Sequence, residues 1–152
     1  ALVEHTTATT QQQGDLVNLS RHTVARIKKK FFQDGLLQTF ILPNLKKLGV
    51  EILTLSHISF NLNKAPSAQE LAYLNTPSTI FFASRKFEAV LLSAYQTFQD
   101  YKEDEMNKIR YLKEHNLFSH PPFISTYMFD RMALIKDFDF SPLVRKILHN
   151  DS

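Results

Sequence analysis

Cysteine is missing from all 152 residues, which excludes disulfides, thiol nucleophiles and cysteine-ligated zinc. No apolar run approaches the ~18 residues of a membrane span, and no signal peptide opens the chain. The expectation is therefore a cytoplasmic protein with no membrane partner. Nucleophile elbow, P-loop and dinucleotide glycine motif are absent too. Charge of one sign is also scarce: 18 basic and 15 acidic side chains leave +3, with a pI near 9.1. That excess identifies no partner by itself.

What is present is an ordinary globular composition, 43% hydrophobic and 22% charged, long enough for one large or two small domains with a real core. The charge is unevenly placed. Residues 1–37 carry five basic residues (Arg21, Arg26, Lys28, Lys29, Lys30) and three acidic ones (Glu4, Asp15, Asp34), leaving 13 basic and 12 acidic residues for 38–152. All five cations lie between Arg21 and Lys30, where there is no acid.

Their surroundings suggest a motif. Thr9 or Thr10 caps a short helix ending near Val17, and Gly14 leaves its face bare for a close neighbour. Asn18 tolerates the left-handed turn that ends such a helix. Ser20 caps a second helix, whose Val24, Ile27 and Phe31 form one apolar stripe. Arg21, His22, Ala25 and Lys29 face the other way, and Asp34-Gly35 stops the helix. Small residue, turn, hydroxyl cap and basic helix together read as a helix-turn-helix. Residues 36–42 read as a strand completing a winged form. Only Ala1–His5 remain for the customary preceding helix, so the chain is read as beginning inside it.

The remainder is read as strand (Val50–Phe60), helix (Ser67–Leu74), strand (Thr79–Ala83), strand (Phe87–Tyr95), helix (Asp100–Asn116) and strand (Phe123–Phe129). This order predicts an α+β fold, a ferredoxin-like βαββαβ sandwich behind the helix-turn-helix. In the long helix Met106, Ile109 and Leu112 are expected inward, with Lys102, Glu103, Lys113 and Glu114 outward. Met132–Phe138 reads as a further strand. Asp139 or Ser141 then caps a last helix with Pro142 at its first position. The strands are apolar on both faces, whereas one chain supplies helices for one face only. A second sheet from another copy is the economical cover, giving a homodimer; the alternative cover is the C-terminal segment 132–152.

Enzyme chemistry finds little support. His57 is alone in a strand, and His115 and His120 flank a Pro-Pro break without a carboxylate at ligand spacing. Glu103-Asp104-Glu105 reads as a solvated helix face. No catalytic residue, metal site or cofactor is expected, and RNA binding lacks its exposed aromatic strand motif.

A helix-turn-helix joined by one strand to a βαββαβ domain resembles the Lrp/AsnC (leucine-responsive, feast/famine) transcriptional regulators. Pro43-Asn44-Leu45-Lys46-Lys47-Leu48-Gly49 ahead of the long strand is similar to archaeal members. The resemblance runs to about Phe129. It implies a DNA-binding domain at 1–37, a connecting strand at 38–49, and a sensing and dimerisation domain at 50–152 that includes the last helix. It also implies double-stranded DNA as partner, a homodimer or higher oligomer, and a small-molecule effector. Ser20, Arg21, His22, Thr23, Ala25, Arg26, Lys28, Lys29 and Lys30 would face DNA, with Arg21 reading guanine and the lysines holding phosphates. Where the family has a glycine-containing turn by its effector site, this chain has Ser84-Arg85-Lys86-Phe87-Glu88. Ser84, Arg85 and Lys86 there suit an anionic effector or merely cap the sheet. The rival to a DNA-binding regulator is a metabolite-sensing or assembly protein that keeps the fold without binding DNA.

Overall fold

A computed structural model describes residues 7–39, 42–133 and 140–150. They fall into two compact units, one formed by the described residues up to Leu42 with 140–150, the other by 43–133. The last helix thus groups with the first helices rather than with the sheet.

The first unit contains α1 (Thr10–Val17), α2 (Arg21–Gln33) and α5 (Ser141–Asn150). The C-terminus of α2 explains the fate of the expected wing. Asp34 closes the helix and Gly35 turns left-handed at φ +70°. The Gly35 amide then returns to the Phe32 carbonyl (3.2 Å) and the Leu36 amide to that of Phe31 (2.9 Å). This two-bond cap uses amides a strand would need, and residues 36–39 and 42 form no strand. Phe40 and Ile41 lie outside the described residues, as do 134–138 of the expected strand Met132–Phe138 and the cap candidate Asp139. Ser141 is the first residue of α5, which moves Pro142 one place further in.

The second unit is a four-stranded sheet of β1 (Ile52–Ser59), β2 (Thr79–Arg85), β3 (Glu88–Tyr95) and β4 (Phe123–Met128), every pair antiparallel, ordered β2-β3-β1-β4. With α3 (Ala68–Leu74) after β1 and α4 (Phe98–Glu114) after β3, this is the expected βαββαβ sandwich. Ser67 and Glu70 form a reciprocal capping box at α3. Lys64 ties that corner to α4 by pairing with Glu70 (3.1 Å) and donating to the His115 carbonyl (2.8 Å). A stack of Tyr73 on Tyr111 joins the two helices.

One face of the sheet is covered. Ile52, Thr54, Ser56 and Ile58 of β1 and Ala89, Leu91, Ser93 and Tyr95 of β3 point to it and are buried. Ile58, Ala89 and Leu91 build the core with Phe60, Leu74, Leu112 and Leu117. On the opposite face Phe81, Leu55, Phe123 and Tyr127 are exposed, Phe123 by 66%.

The long helix is phased differently from the expectation. Met106 is half exposed, and the buried positions of α4 are Glu105, Lys108 and Leu112. Glu103 is exposed, as expected, but Asp104 and Glu105 turn inward rather than into solvent. The Tyr95 hydroxyl lies 2.7 Å from Asp104 Oδ2 and 2.9 Å from Glu105 Oε1, and Lys108 Nζ pairs with Asp104 at 2.7 Å. Thr76 adds a hydroxyl donor to Asp104 (3.3 Å). Burial, reinforced by the Glu105 charge, pushes the Tyr95 phenol well above its ordinary pKa, so it stays a neutral hydroxyl.

Candidate nucleic-acid interface

The helix-turn-helix is assembled from backbone chemistry. Thr9 caps α1 through a reciprocal box, its hydroxyl taking the Gln12 amide (3.3 Å) while its own amide reaches Gln12 Oε1 (2.8 Å). Asn18 ends the helix at φ 55°, ψ 44°, so that the Leu19 amide turns back to the Gly14 carbonyl (2.9 Å). Gly14 is where the connection passes closest: a Cβ there would lie 2.5 Å from the Leu19 carbonyl oxygen. Ser20 then starts α2, its Oγ accepting the Thr23 amide at 3.2 Å and lying 3.0 Å from the Thr23 hydroxyl.

Helical phase sorts the rest. At about 100° per residue from Arg21, Arg21, Ala25, Lys29, His22, Arg26 and Lys30 share one half of the cylinder, and all are exposed. Ile27, Phe31 and Val24 occupy the other side, with Val24 4% exposed. Thr23 and Lys28 stand at the two borders and are partly covered. Ser20 is exposed at the entry. Among the described residues no carboxylate pairs with Arg21, Arg26, Lys28, Lys29 or Lys30. The result is a helix ~20 Å long whose exposed half is basic and unneutralised. Those are the requirements for binding a polyanion with a helix that fits a major groove.

The second group of candidates is arranged differently. Ser84 and Arg85 are the last residues of β2, and the turn itself is Lys86-Phe87. Neither turn residue has positive φ, so this hairpin needs no glycine. Arg85 closes it through Glu88, with Nε 2.7 Å from Oε2, and Lys86 lies over the Phe87 ring. His57 Nε2 is 3.9 Å from Glu88 Oε2 on the open sheet face. His115 Nδ1 is 2.9 Å from the Tyr111 carbonyl, and His120 Nδ1 is 3.2 Å from that of Pro121. Among the described residues no three His, Asp or Glu side chains gather where they could hold a metal, and no helix is long and apolar enough to cross a membrane.

No family model and no curated protein matches the sequence. Solved structures do. A transcriptional regulator from Neisseria meningitidis, determined as its L-Met complex, superposes with a TM-score of 0.70 at 16% identity, over 93% of this chain and 92% of that one. AsnC from E. coli gives 0.61 at 12% identity over 91% of each chain. A Pyrococcus furiosus transcriptional regulatory protein of the AsnC family gives 0.61 at 16%, over 91% and 88%. The fold is thus that of the Lrp/AsnC transcriptional regulators, a helix-turn-helix followed by a ferredoxin-like domain. Likeness at this level of identity is likeness of fold. Its bearing on function depends on the residues of this chain.

Proposed function

We propose that this protein is a sequence-specific, dimeric DNA-binding transcriptional regulator of the Lrp/AsnC type, acting in the cytoplasm and not as an enzyme. The observation that carries the reading is the unpaired cationic half of α2, capped by Ser20 and held against α1 at Gly14. In this reading α2 enters the major groove. Arg21, His22 and Ala25 on its first turns meet base edges, while Arg26 and Lys28–Lys30 hold phosphates. The phosphate contacts provide affinity and salt dependence; the base contacts provide sequence preference.

Dimerisation belongs to the same reading. The open sheet face carries aromatic and aliphatic side chains where a solvated face would be polar, and a second copy covers it sheet on sheet. Two recognition helices then call for a near-palindromic site with half-sites about 34–36 Å apart. A small-molecule effector of the sheet unit completes the reading. The Neisseria regulator was solved with L-Met; here Arg85 is engaged by Glu88, which leaves Lys86 as the unpaired cation of the hairpin. A sensing or assembly protein without DNA binding would explain the apolar face equally well, but not the acid-free cationic arc.

Selection of bound sequences from random duplexes tests the reading, followed by titration across several salt concentrations. Arg21→Ala is expected to flatten sequence preference. Lys29→Ala is expected to weaken all duplexes alike and to lower the salt slope by about 0.9 for each phosphate no longer neutralised. Failure to enrich any sequence would overturn specific DNA binding, and identical behaviour of the two variants would overturn the division of roles.

A further inference from the structure

The charge of this chain is more segregated than its total suggests. Between Leu16 and Val50 lie seven of the 18 basic side chains and one acid, Asp34; the other eleven basic and 14 acidic side chains lie outside. That stretch carries +6 and the rest of the chain −3. Five of the seven cations are on α2 and serve the site already described. The other two, Lys46 and Lys47, belong to the sheet unit, which without them holds eight basic and nine acidic residues over 43–133. The rest of that unit is therefore close to neutral, and this pair supplies its positive excess.

The pair is displayed on a built turn. Asn44 Oδ1 accepts the Lys47 amide (3.0 Å), and the Leu48 amide returns to the Asn44 carbonyl (3.1 Å). Gly49 reverses the chain at φ +76°, allowing the Val50 amide to reach the Leu45 carbonyl (3.0 Å). Gln96, just past the end of β3, fastens the turn from outside by donating to the Leu48 carbonyl at 2.7 Å. Both lysines are exposed, and neither has a carboxylate partner among the described residues. A backbone fixed in this way forfeits little further entropy on binding.

Reach sets a bound. Lys46 is 12 residues beyond Asp34, a tether of at most about 40 Å. One turn of duplex is about 34–36 Å.

We propose that the Asn44–Gly49 turn is a second nucleic-acid contact, in which Lys46 and Lys47 grip the phosphodiester backbone flanking the bases met by α2. The inference rests on the DNA-binding reading above and adds a contact from the other unit. It makes affinity depend on flanking duplex whose sequence is immaterial, because phosphate contacts position a protein without reading bases.

The test uses the full chain and the duplex selected above, in a short form ending at the half-sites and in a form extended by a turn of arbitrary sequence at each end. Anisotropy titrations over salt concentration give the slope of log K. The wild type is expected to bind the extended duplex more tightly and with a steeper slope. K46Q/K47Q should lose that gain, its slope falling by about 2 per protomer, at ~0.9 per phosphate, while its binding to the short duplex matches the wild type. K46R/K47R should restore the slope, which separates charge from any disturbance of the turn. A wild type that binds specifically with no flank dependence, or a K46Q/K47Q slope equal to the wild type's, would overturn this inference and leave the recognition-helix reading standing. A wild type that binds no DNA would overturn both.

Discussion

Gly14 offers the most direct test of the helix-turn-helix geometry. Replacing a mid-helix glycine by alanine ordinarily stabilises a helix by roughly 0.5–1 kcal/mol. Here the new methyl would lie 2.5 Å from the Leu19 carbonyl oxygen and 3.6 Å from the Arg21 amide. A carbon–oxygen contact needs ~3.3 Å, so the connection must retreat by roughly 0.8 Å. The obstacle is main chain and cannot rotate away. Overpacking of this kind costs about 1–3 kcal/mol. The retreat also pulls on the Ser20 cap, whose bond to Thr23 is already 3.2 Å long and is worth ~1 kcal/mol. The unfavourable terms exceed the helix-propensity gain, and Gly14→Ala is expected to destabilise the first unit by about 1–2 kcal/mol. Guanidinium unfolding followed by circular dichroism measures the stability, and duplex anisotropy reads recognition. Because the clash is with backbone, Leu19→Ala should not rescue Gly14→Ala in a double-mutant cycle. A Gly14→Ala variant as stable as the wild type, or one rescued by Leu19→Ala, would refute the close approach.

Other expectations concern the second unit. Lys108→Met removes the ammonium between Asp104 and Glu105 and should cost about 3–5 kcal/mol, since it leaves buried carboxylates without their counter-charge; Tyr95→Phe should cost about 1–2 kcal/mol, both read by denaturant midpoint. Backbone and side-chain hydrogen bonds from Ser67, with Lys64 nearby, lower the Glu70 pKa from its ordinary 4.5 to about 2. Its contribution is therefore complete above pH 4.5 and is lost as pH falls toward 2. Glu70→Gln should flatten that part of the acid limb in thermal melts; an unchanged limb contradicts the assignment. Phe81 is 54% exposed, so Phe81→Glu should leave the protomer folded while converting a sedimenting dimer to monomer. A dimer persisting through this change would argue against sheet-on-sheet assembly.

The sequence was most legible where short-range rules govern. Asn18 at the left-handed turn, Ser20 at its cap and bare Gly14 by the turn each depend on neighbours within a few positions and stand where the sequence placed them, and of the two cap candidates Thr9 and Thr10 it is Thr9 that caps α1. The succession of strands and helices along the chain was likewise readable from the spacing of apolar runs. Residues 36–42 looked like a strand because Leu36, Leu37, Phe40 and Ile41 are good strand formers, yet the cap at Gly35 claims the first amides. The β2–β3 turn begins two residues later than expected and ends one later, because the Arg85–Glu88 pair draws those positions into the strands. That shift takes Ser84 and Arg85 off the turn they were expected to occupy.

The misreading of α4 bears on assembly. Hydrophobicity placed Met106 inside and the Asp104-Glu105 pair outside, and the fold does the reverse. Lys108, three and four residues on, is the pair's partner within the helix, and an i,i+4 pair reads equally well as a solvated face. The Tyr95 hydroxyl that completes the buried network arrives from the end of β3, nine residues before Asp104. The buried face of the sheet is correspondingly modest, with Thr54, Ser56 and Ser93 among its side chains. The open face carries apolar side chains as well, in rows such as Phe81, Leu92 and Leu55 running across β2, β3 and β1. Water is a poor solvent for such a face, and apolar patches larger than a few hundred Å² are rare on monomers. A helix-covered side that adds a buried ion pair to its apolar core, and an open side that also carries exposed apolar side chains, make an inefficient monomer. In a dimer that buries the open faces together, the same distribution is economical. Hydrophobic burial then gives the association free energy, while the Tyr95–Asp104–Lys108 network fixes how α4 seats on each sheet.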